Sequence, residues 1–146
     1  MDERVKQLKT PEGCERFIAN VIKKYPDLAQ EALRRKIELL ASAYGAKSAA
    51  EREALQAIYA YEEVLTARNG RKTYAARTWQ MVKRRGIIGA VERAVNRKDE
   101  TLGFTALVEM GMQDFAFEAI VIRYPDLFSQ EAVARSKQRL EAWTRT

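Results

Sequence analysis

The sequence predicts an all-α fold, in which residues 1–146 form one compact domain, a bundle of about seven or eight helices. Apolar residues recur at spacings of three and four along most of the chain, as they do on one face of a helix. Proline, glycine and capping residues stand where these apolar stripes begin and end. Clean two-residue alternation does not occur, and only the short run AIVI at residues 119–122 resembles a strand. A chain of this length buries a sizeable core without disulfides or metals.

The first three predicted helices have recognisable start and stop signals. Thr10 followed by Pro11 is a capping residue before a proline at the first helical position. Gly45 is expected to end the second helix in the left-handed conformation. Ser48 and Glu51 have the spacing of a capping box at the start of the third. The predicted ranges are about 10–24, 29–44 and 49–68.

The signals in the second half of the chain predict five further helices. Thr73 is expected to cap the first of them, and Gly86 to end it. Asp114 is expected to cap a helix over residues 115–124, which is apolar on nearly every face and therefore predicted to be the buried centre of the fold. Ser129 is expected to cap the last helix. The predicted ranges are about 73–85, 87–97, 101–110, 115–124 and 130–143.

The string YPDL occurs twice, beginning at Tyr25 and at Tyr124, as part of a weak internal repeat. After the string, the second copy matches the first only if it is shifted by one residue. Proline disfavours the helical conformation in the residue before it, so each copy predicts a helix, a YPDL corner and another helix. Tyrosine and leucine are expected to pack across the corner, while an exposed tyrosine would indicate a docking site. Whether the copies arose by duplication is open.

The positive charge of the chain is concentrated in one segment. The net charge is +6, but residues 1–67 carry 11 basic and 11 acidic residues, and residues 99–146 carry a net charge of −3. Residues 68–98 carry ten basic residues and one acidic residue, Glu92. We call residues 68–98 the basic segment. It is predicted to form a positive ridge over two adjacent helices.

The basic segment is the candidate nucleic-acid-binding site. Cationic side chains neutralise phosphates, and aromatic rings stack on unpaired bases. Tyr74 and Trp79 lie among the cations and are the candidates for stacking, although helical spacing favours a core position for Trp79. The alternative is a solvated face paired with Glu62, Glu63, Asp99 and Glu100. The candidate phosphate contacts are Arg68, Arg71, Lys72, Arg77, Lys83, Arg84, Arg85, Arg93, Arg97 and Lys98.

A helix-turn-helix motif over residues 78–95 is a weaker alternative. Gly86 followed by Ile87 suits the turn before a recognition helix. However, Glu92 stands where an apolar residue normally anchors the second helix, and Val82 where a small residue lets the two helices approach. A glycine inside the second helix, Gly89, also weakens it.

The residue types offer little for catalysis. The chain has no histidine, which removes the commonest general base and most zinc sites. Cys14 lies near a predicted helix N-terminus, which would lower its pKa, but a small buried residue is the expected role. A metal-dependent nuclease would need clustered carboxylates, for which Glu92, Asp99 and Glu100 are the candidates. We therefore predict no catalytic residue, no metal and no cofactor.

The sequence predicts a cytoplasmic protein whose partner is DNA or RNA. A single cysteine fits a reducing compartment, no apolar run is long enough to span a membrane, and the charged N-terminus lacks the pattern of a signal peptide. Residues 1–9 are expected to be a mobile segment. The rival hypothesis is a protein–protein adaptor or assembly subunit, which would use the ridge against an acidic partner or an exposed patch of Tyr25, Leu127 and Phe128.

Overall fold

The computed structural model describes residues 1–97 and 101–144, and in this part of the chain all regular secondary structure is helical, which confirms the all-α prediction. None of the described helices combines the length and the apolar composition that crossing a membrane requires. Short 3₁₀ helices lie at Gln113–Phe115 and Pro125–Leu127. The α-helices in the described ranges are α1 (Glu3–Lys6), α2 (Pro11–Val21), α3 (Pro26–Tyr44), α4 (Ala49–Asn69), α5 (Ala76–Val95), α6 (Thr101–Glu109), α7 (Phe117–Arg123) and α8 (Gln130–Thr144).

Contacts along the chain divide it into two compact units, Met1–Ala46 and Lys47–Thr146, which we call unit 1 and unit 2. The single domain remains a prediction. In unit 1, α2 and α3 pack against each other, and α1 packs on α3. Residues 1–9, which were expected to be mobile, contain α1, and its Val5 is fully buried in a cluster with Leu28 and Ala32.

The caps of unit 1 follow the sequence closely. The Thr10 hydroxyl accepts a hydrogen bond of 3.0 Å from the backbone N–H of Gly13, and Pro11 opens α2. Gly45 ends α3 with φ of 92°, in the left-handed conformation that was predicted. The second helix begins earlier than expected, at Pro26 rather than at residue 29, because proline is well suited to the first helical position.

Unit 2 surrounds a core to which four helices and the second corner contribute. Ala57 of α4, Val91 of α5, Val121 of α7 and Ala132 of α8 are buried in one cluster, together with Phe128 between α7 and α8. The capping box predicted at α4 is present, since the Glu51 N–H donates to the Ser48 hydroxyl over 3.1 Å. The Glu51 carboxylate in turn accepts from the N–H of Lys47.

The prediction for residues 115–124 of unit 2 was wrong in two details. Residues 115–124 do not form one helix capped by Asp114. Asp114 and Phe115 belong to a 3₁₀ helix, and α7 begins after Ala116, whose extended backbone separates the two. The expected burial is present in the shorter helix, because Ile120 and Val121 are fully buried. The apolar pattern indicated burial correctly but did not show where the backbone turns.

Both YPDL strings form the predicted corners between helices. Tyr25 has φ and ψ of −133° and 73°, and Tyr124 has −129° and 57°, so each tyrosine leaves the helical conformation just before its proline. After Pro26 the chain continues directly as α3. After Pro125 it forms one 3₁₀ turn, and α8 starts only at Gln130.

Candidate functional site

The loop of residues 70–75, between α4 and α5, is held by side chains of its neighbours. The Thr66 hydroxyl accepts from the backbone N–H of Thr73 over 3.0 Å and donates to the Thr73 carbonyl over 3.4 Å. The Thr73 hydroxyl accepts from Asn69 over 3.1 Å and donates to the Arg71 carbonyl over 2.9 Å. Thr73 was predicted to cap a helix. It is instead the centre of this loop, because its hydrogen-bonding groups are engaged there.

Glu62 of α4 fixes the start of α5. Its Oε2 accepts from the backbone N–H of Ala75 over 2.8 Å and from the indole N–H of Trp79 over 2.7 Å. The Trp79 ring also lies 5.2 Å from the Tyr59 ring, centroid to centroid, and packs beside Val82. Trp79 is therefore a packing residue of unit 2, as its spacing indicated. Glu62 accepts its hydrogen bonds at the start of α5 and forms no ion pair with a described cation.

The cations of the basic segment point mostly into solvent. No ion pair joins the basic residues between positions 68 and 97 to an acidic side chain in residues 1–97 and 101–144. Two other arginines of unit 2 are paired: Arg123 with Glu53 at 2.8 Å and Arg139 with Glu118 at 3.0 Å. Arg97 is half-buried, and Lys98 lies outside the described residues. The exposed members are Arg68, Arg71, Lys72, Arg77, Lys83, Arg84, Arg85 and Arg93.

The first half of α5 separates a buried face from a cationic face. Thr78 and Val82 are buried, four residues apart, while Arg77, Lys83 and Arg84 are exposed. Arg77 and Arg84 are seven residues apart, about two helical turns, so they share a side of the helix. This periodicity places Arg77 and Arg84 along one stripe, and Arg71 and Lys72 precede it in the sequence, on the loop.

Two glycines shape α5 at its middle. Gly86 has φ of 81° and ψ of 174°, a conformation open to glycine but not to residues with a side chain, and it breaks the helical geometry there, as predicted. A Cβ on Gly89 would lie 2.7 Å from the Cβ of Arg85, so any larger residue would displace the arginine. Gly89, which weakens a helix by its backbone freedom, here leaves the space that the Cβ of Arg85 occupies.

In the second half of α5, Arg93 is exposed, and the end of the helix is tied to α8. Arg139 donates to the backbone carbonyl of Arg97. Arg135 donates to the side-chain oxygen of Asn96 over 2.7 Å. Arg93 is thus an exposed cation, whereas the backbone at Arg97 belongs to the packing of unit 2.

Glu92, the single acidic residue of the basic segment, anchors the start of α8. It accepts hydrogen bonds from the backbone N–H and the hydroxyl of Ser129 over 2.9 and 2.8 Å, and from Asn96 over 2.7 Å. Burial acts to raise the pKa of the Glu92 carboxyl, but these hydrogen bonds and the charge of Arg135 outweigh burial and lower the pKa below its usual value. Ser129 also caps α8, as predicted, by accepting from the N–H of Ala132.

The remaining candidates for chemistry are dispersed or lie outside the described residues. Cys14 is fully buried, and burial raises the pKa of its thiol, with Arg35 and Lys36 acting in the opposite direction. The expectation that the helix N-terminus would lower this pKa was wrong, because loss of water outweighs it. No group of three metal-binding side chains converges within the described ranges. Two of the three carboxylates of the nuclease hypothesis, Asp99 and Glu100, are not among the described residues.

Of the three apolar corner residues that the adaptor hypothesis names, one is buried and two are exposed. Phe128 is buried in the core of unit 2. Tyr25, in unit 1, and Leu127, in unit 2, are exposed. Tyr25 lines a shallow groove of about 450 Å³ whose other walls are mostly charged, including Arg4, Lys24 and Asp27.

Comparison with known protein families, with curated proteins and with solved structures finds no match for this chain.

Proposed function

We propose that the protein binds nucleic acid without catalysis, and that the basic segment of unit 2 makes the phosphate contacts. The observation that carries the proposal is a set of eight exposed cations, none of them paired with a carboxylate within the described ranges. Unpaired like charges on one surface repel one another, and a polyanion relieves that repulsion while it releases its own counterions. Six of the eight are arginines, whose planar guanidinium suits bidentate phosphate contacts.

The arrangement of these cations supports a phosphate backbone as the ligand. Arg71 and Lys72 lie on the loop that precedes α5, and Arg77 and Arg84 continue along one side of its first half. The loop is held by Thr73, and the helix start by Glu62. A backbone that is already held in place loses little conformational entropy when its side chains bind a ligand, which favours affinity.

Salt-titrated binding tests the proposal directly. Fluorescence anisotropy is measured with a labelled single strand and with a duplex of equal length. If Arg71, Lys72, Arg77, Lys83, Arg84 and Arg85 each contact a phosphate, the logarithm of the affinity for a single strand falls against the logarithm of salt concentration with a slope of about −4. We expect the combined variant Arg84→Glu and Arg85→Glu to abolish binding.

The matched control is Lys9→Glu combined with Lys23→Glu, which changes the net charge equally by way of exposed residues of unit 1. This control should bind much as the wild type does. A slope near zero, or unchanged affinity in the Arg84 and Arg85 variant, would contradict the proposal.

An acidic protein partner is the alternative for the same surface. Polyglutamate carrying as many charges as the oligonucleotide distinguishes the two ligands, since it has carboxylates but neither phosphates nor bases. Preference for the oligonucleotide at equal charge supports nucleic acid. Equal or tighter binding of polyglutamate would support the adaptor, for which the exposed Tyr25 is a separate supporting observation.

A further inference from the structure

Tyr74 is the most exposed of the large hydrophobic side chains in the described ranges, at 64% of its full accessible area. It lies on the loop between α4 and α5, between Lys72 and Arg77 of the basic segment. Tyrosine is enriched at binding interfaces, where an apolar ring and a polar tip are both used. A solvent-facing tyrosine among exposed cations is therefore a candidate for contact with a ligand.

The backbone on both sides of Tyr74 is held in place. The N–H and the carbonyl of Thr73, the residue before it, both form hydrogen bonds with the Thr66 hydroxyl. The residue after it, Ala75, donates its N–H to Glu62 over 2.8 Å. The ring is thus presented from a fixed position, and its exposure does not follow from a loose loop. Pre-organisation of this kind lowers the entropic cost of binding.

The surroundings of the ring combine an aromatic face with phosphate-binding charge. The Lys72 ammonium lies 5.5 Å from the Tyr74 ring centroid. Arg71 and Arg77 follow on either side in the sequence, and both are exposed. Trp79, the other aromatic residue of the segment, is held by Glu62 and packs beside Tyr59, so its ring belongs to the interior packing.

We infer that the ligand of the basic segment is single-stranded nucleic acid, with an unpaired base stacked on Tyr74. This inference rests on the proposed function. Bases inside a duplex have both faces covered by their neighbours, whereas an unpaired base offers a free face to an aromatic ring. The cations around Tyr74 would hold the phosphates of the same strand. The ring recognises the flat face of a base, so sequence preference should be weak.

The test is a double-mutant cycle between the ring and the bases. Wild type and Tyr74→Ala are titrated with a labelled strand and with an abasic strand of the same length, which keeps every phosphate but has no bases. We expect Tyr74→Ala to weaken binding of the normal strand by about 5- to 150-fold, the range for loss of one stacked base. The abasic strand should bind both proteins equally, since it has no base to stack.

Four controls isolate stacking from charge and from folding. Tyr74→Phe keeps the ring and should keep the affinity. Tyr25→Ala removes an exposed tyrosine from unit 1 and should leave the affinity for the normal strand unchanged. The salt slope of Tyr74→Ala should equal that of the wild type, because no charge is removed. Circular dichroism should show the same helix content in all variants.

The outcomes separate this inference from the proposed function. If the wild type binds strand and duplex equally well, or if Tyr74→Ala binds the normal strand as the wild type does, the inference is overturned while phosphate binding stands. If the wild type binds no nucleic acid at any salt concentration, the proposed function itself fails. A preference for the single strand, lost in Tyr74→Ala and retained in Tyr74→Phe, supports both.

Discussion

The two YPDL corners have the same four residues and nearly the same backbone at the tyrosine, but they bury different side chains. At the first corner Leu28 is buried and Tyr25 is 51% exposed. At the second, Leu127 is 52% exposed, and Tyr124 is half-buried and donates its hydroxyl to Glu53. The same string thus produces opposite patterns of burial. A short motif determines the turn it makes but not the surface it covers.

The residue count after the string explains the difference. In the first copy one residue, Ala29, separates YPDL from the sequence QEA, and α3 runs on without a break from Pro26. In the second copy Phe128 and Ser129 take that place. The extra residue lets the chain extend at Phe128, whose ring enters the core, and lets Ser129 begin a new helix. Phe128 is therefore the buried apolar residue at the second corner, as Leu28 is at the first.

The largest expected effect is a difference between matched leucines. Leu28→Ala should lower the free energy of unfolding of unit 1 by about 2–5 kcal/mol, because it removes buried methyl groups and leaves a cavity. Leu127→Ala should change that of unit 2 by no more than about 0.5 kcal/mol, since the side chain is already largely in water. Urea unfolding followed by far-ultraviolet circular dichroism measures both.

Tryptophan fluorescence separates the units in these experiments, because both tryptophans, Trp79 and Trp143, lie in unit 2. The fluorescence transition thus reports the unfolding of unit 2. It should be unchanged in Leu127→Ala, because the Leu127 side chain is already exposed. Equal destabilisation by the two substitutions would show that the corners are alike and that the comparison fails.

An intermediate effect is expected at the anchor of the second corner. The folded state lowers the pKa of Glu92, so the carboxylate stabilises unit 2 above the unfolded value of about 4.5, and this contribution is lost as the pH falls through the folded pKa. Glu92→Gln should therefore lower the free energy of unfolding by about 1 kcal/mol at pH 7, by weakening the hydrogen bonds from Ser129. Urea titrations between about pH 7 and pH 3 measure the difference.

The pH dependence is the discriminating result. The gap between wild type and Glu92→Gln should close as the medium becomes acidic, because the wild-type carboxyl is then protonated. A gap that is constant from neutral to acid pH would mean that Glu92 acts through its shape alone. The first corner has no such acid anchor, since no side chain caps α3 at Tyr25.

The smallest effect is expected at the two tyrosine hydroxyls. The hydrogen bond to Glu53 raises the pKa of Tyr124. The contribution of this hydrogen bond to the stability of unit 2 is therefore complete below the unfolded pKa of the tyrosine and is lost as the pH rises through its folded pKa. Tyr124→Phe should lower the urea midpoint slightly at pH 7 and remove a late-titrating tyrosine from the alkaline absorbance curve. Tyr25→Phe, at the exposed corner, should leave the midpoint unchanged. Equal shifts in both variants would contradict the assignment.

Much of the local structure was predictable because it depends on neighbours in the sequence. The caps at Thr10, Ser48 and Ser129, the left-handed Gly45 and the break at Gly86 all involve residues within a few positions of one another. The predictions that were wrong, at Thr73 and Asp114, concern residues with plausible capping chemistry. At Thr73 a loop partner seven residues away, Thr66, engages the groups that a cap would use.

The sequence shows the positive charge of the candidate site, but it does not show whether acidic side chains neutralise that charge. Counting residues shows ten cations against one acid between residues 68 and 98. Only the fold shows that Glu92 accepts hydrogen bonds from Ser129, which lies 37 residues away in the sequence. Only the fold also shows that Glu62 accepts a hydrogen bond from the indole of Trp79. Of the two aromatic residues between the cations, the packing around Trp79 leaves Tyr74 as the exposed one.

The sequence by itself determined the all-α class, most helix ends and the position of the positive charge, because hydrophobic periodicity, backbone preference and formal charge are local properties. The tertiary structure alone decided which leucine of the two YPDL strings is buried, which carboxylate anchors a helix and which cations remain unpaired. These outcomes depend on contacts between segments far apart in the chain, and one additional residue after the second YPDL is enough to change which side chain meets the core.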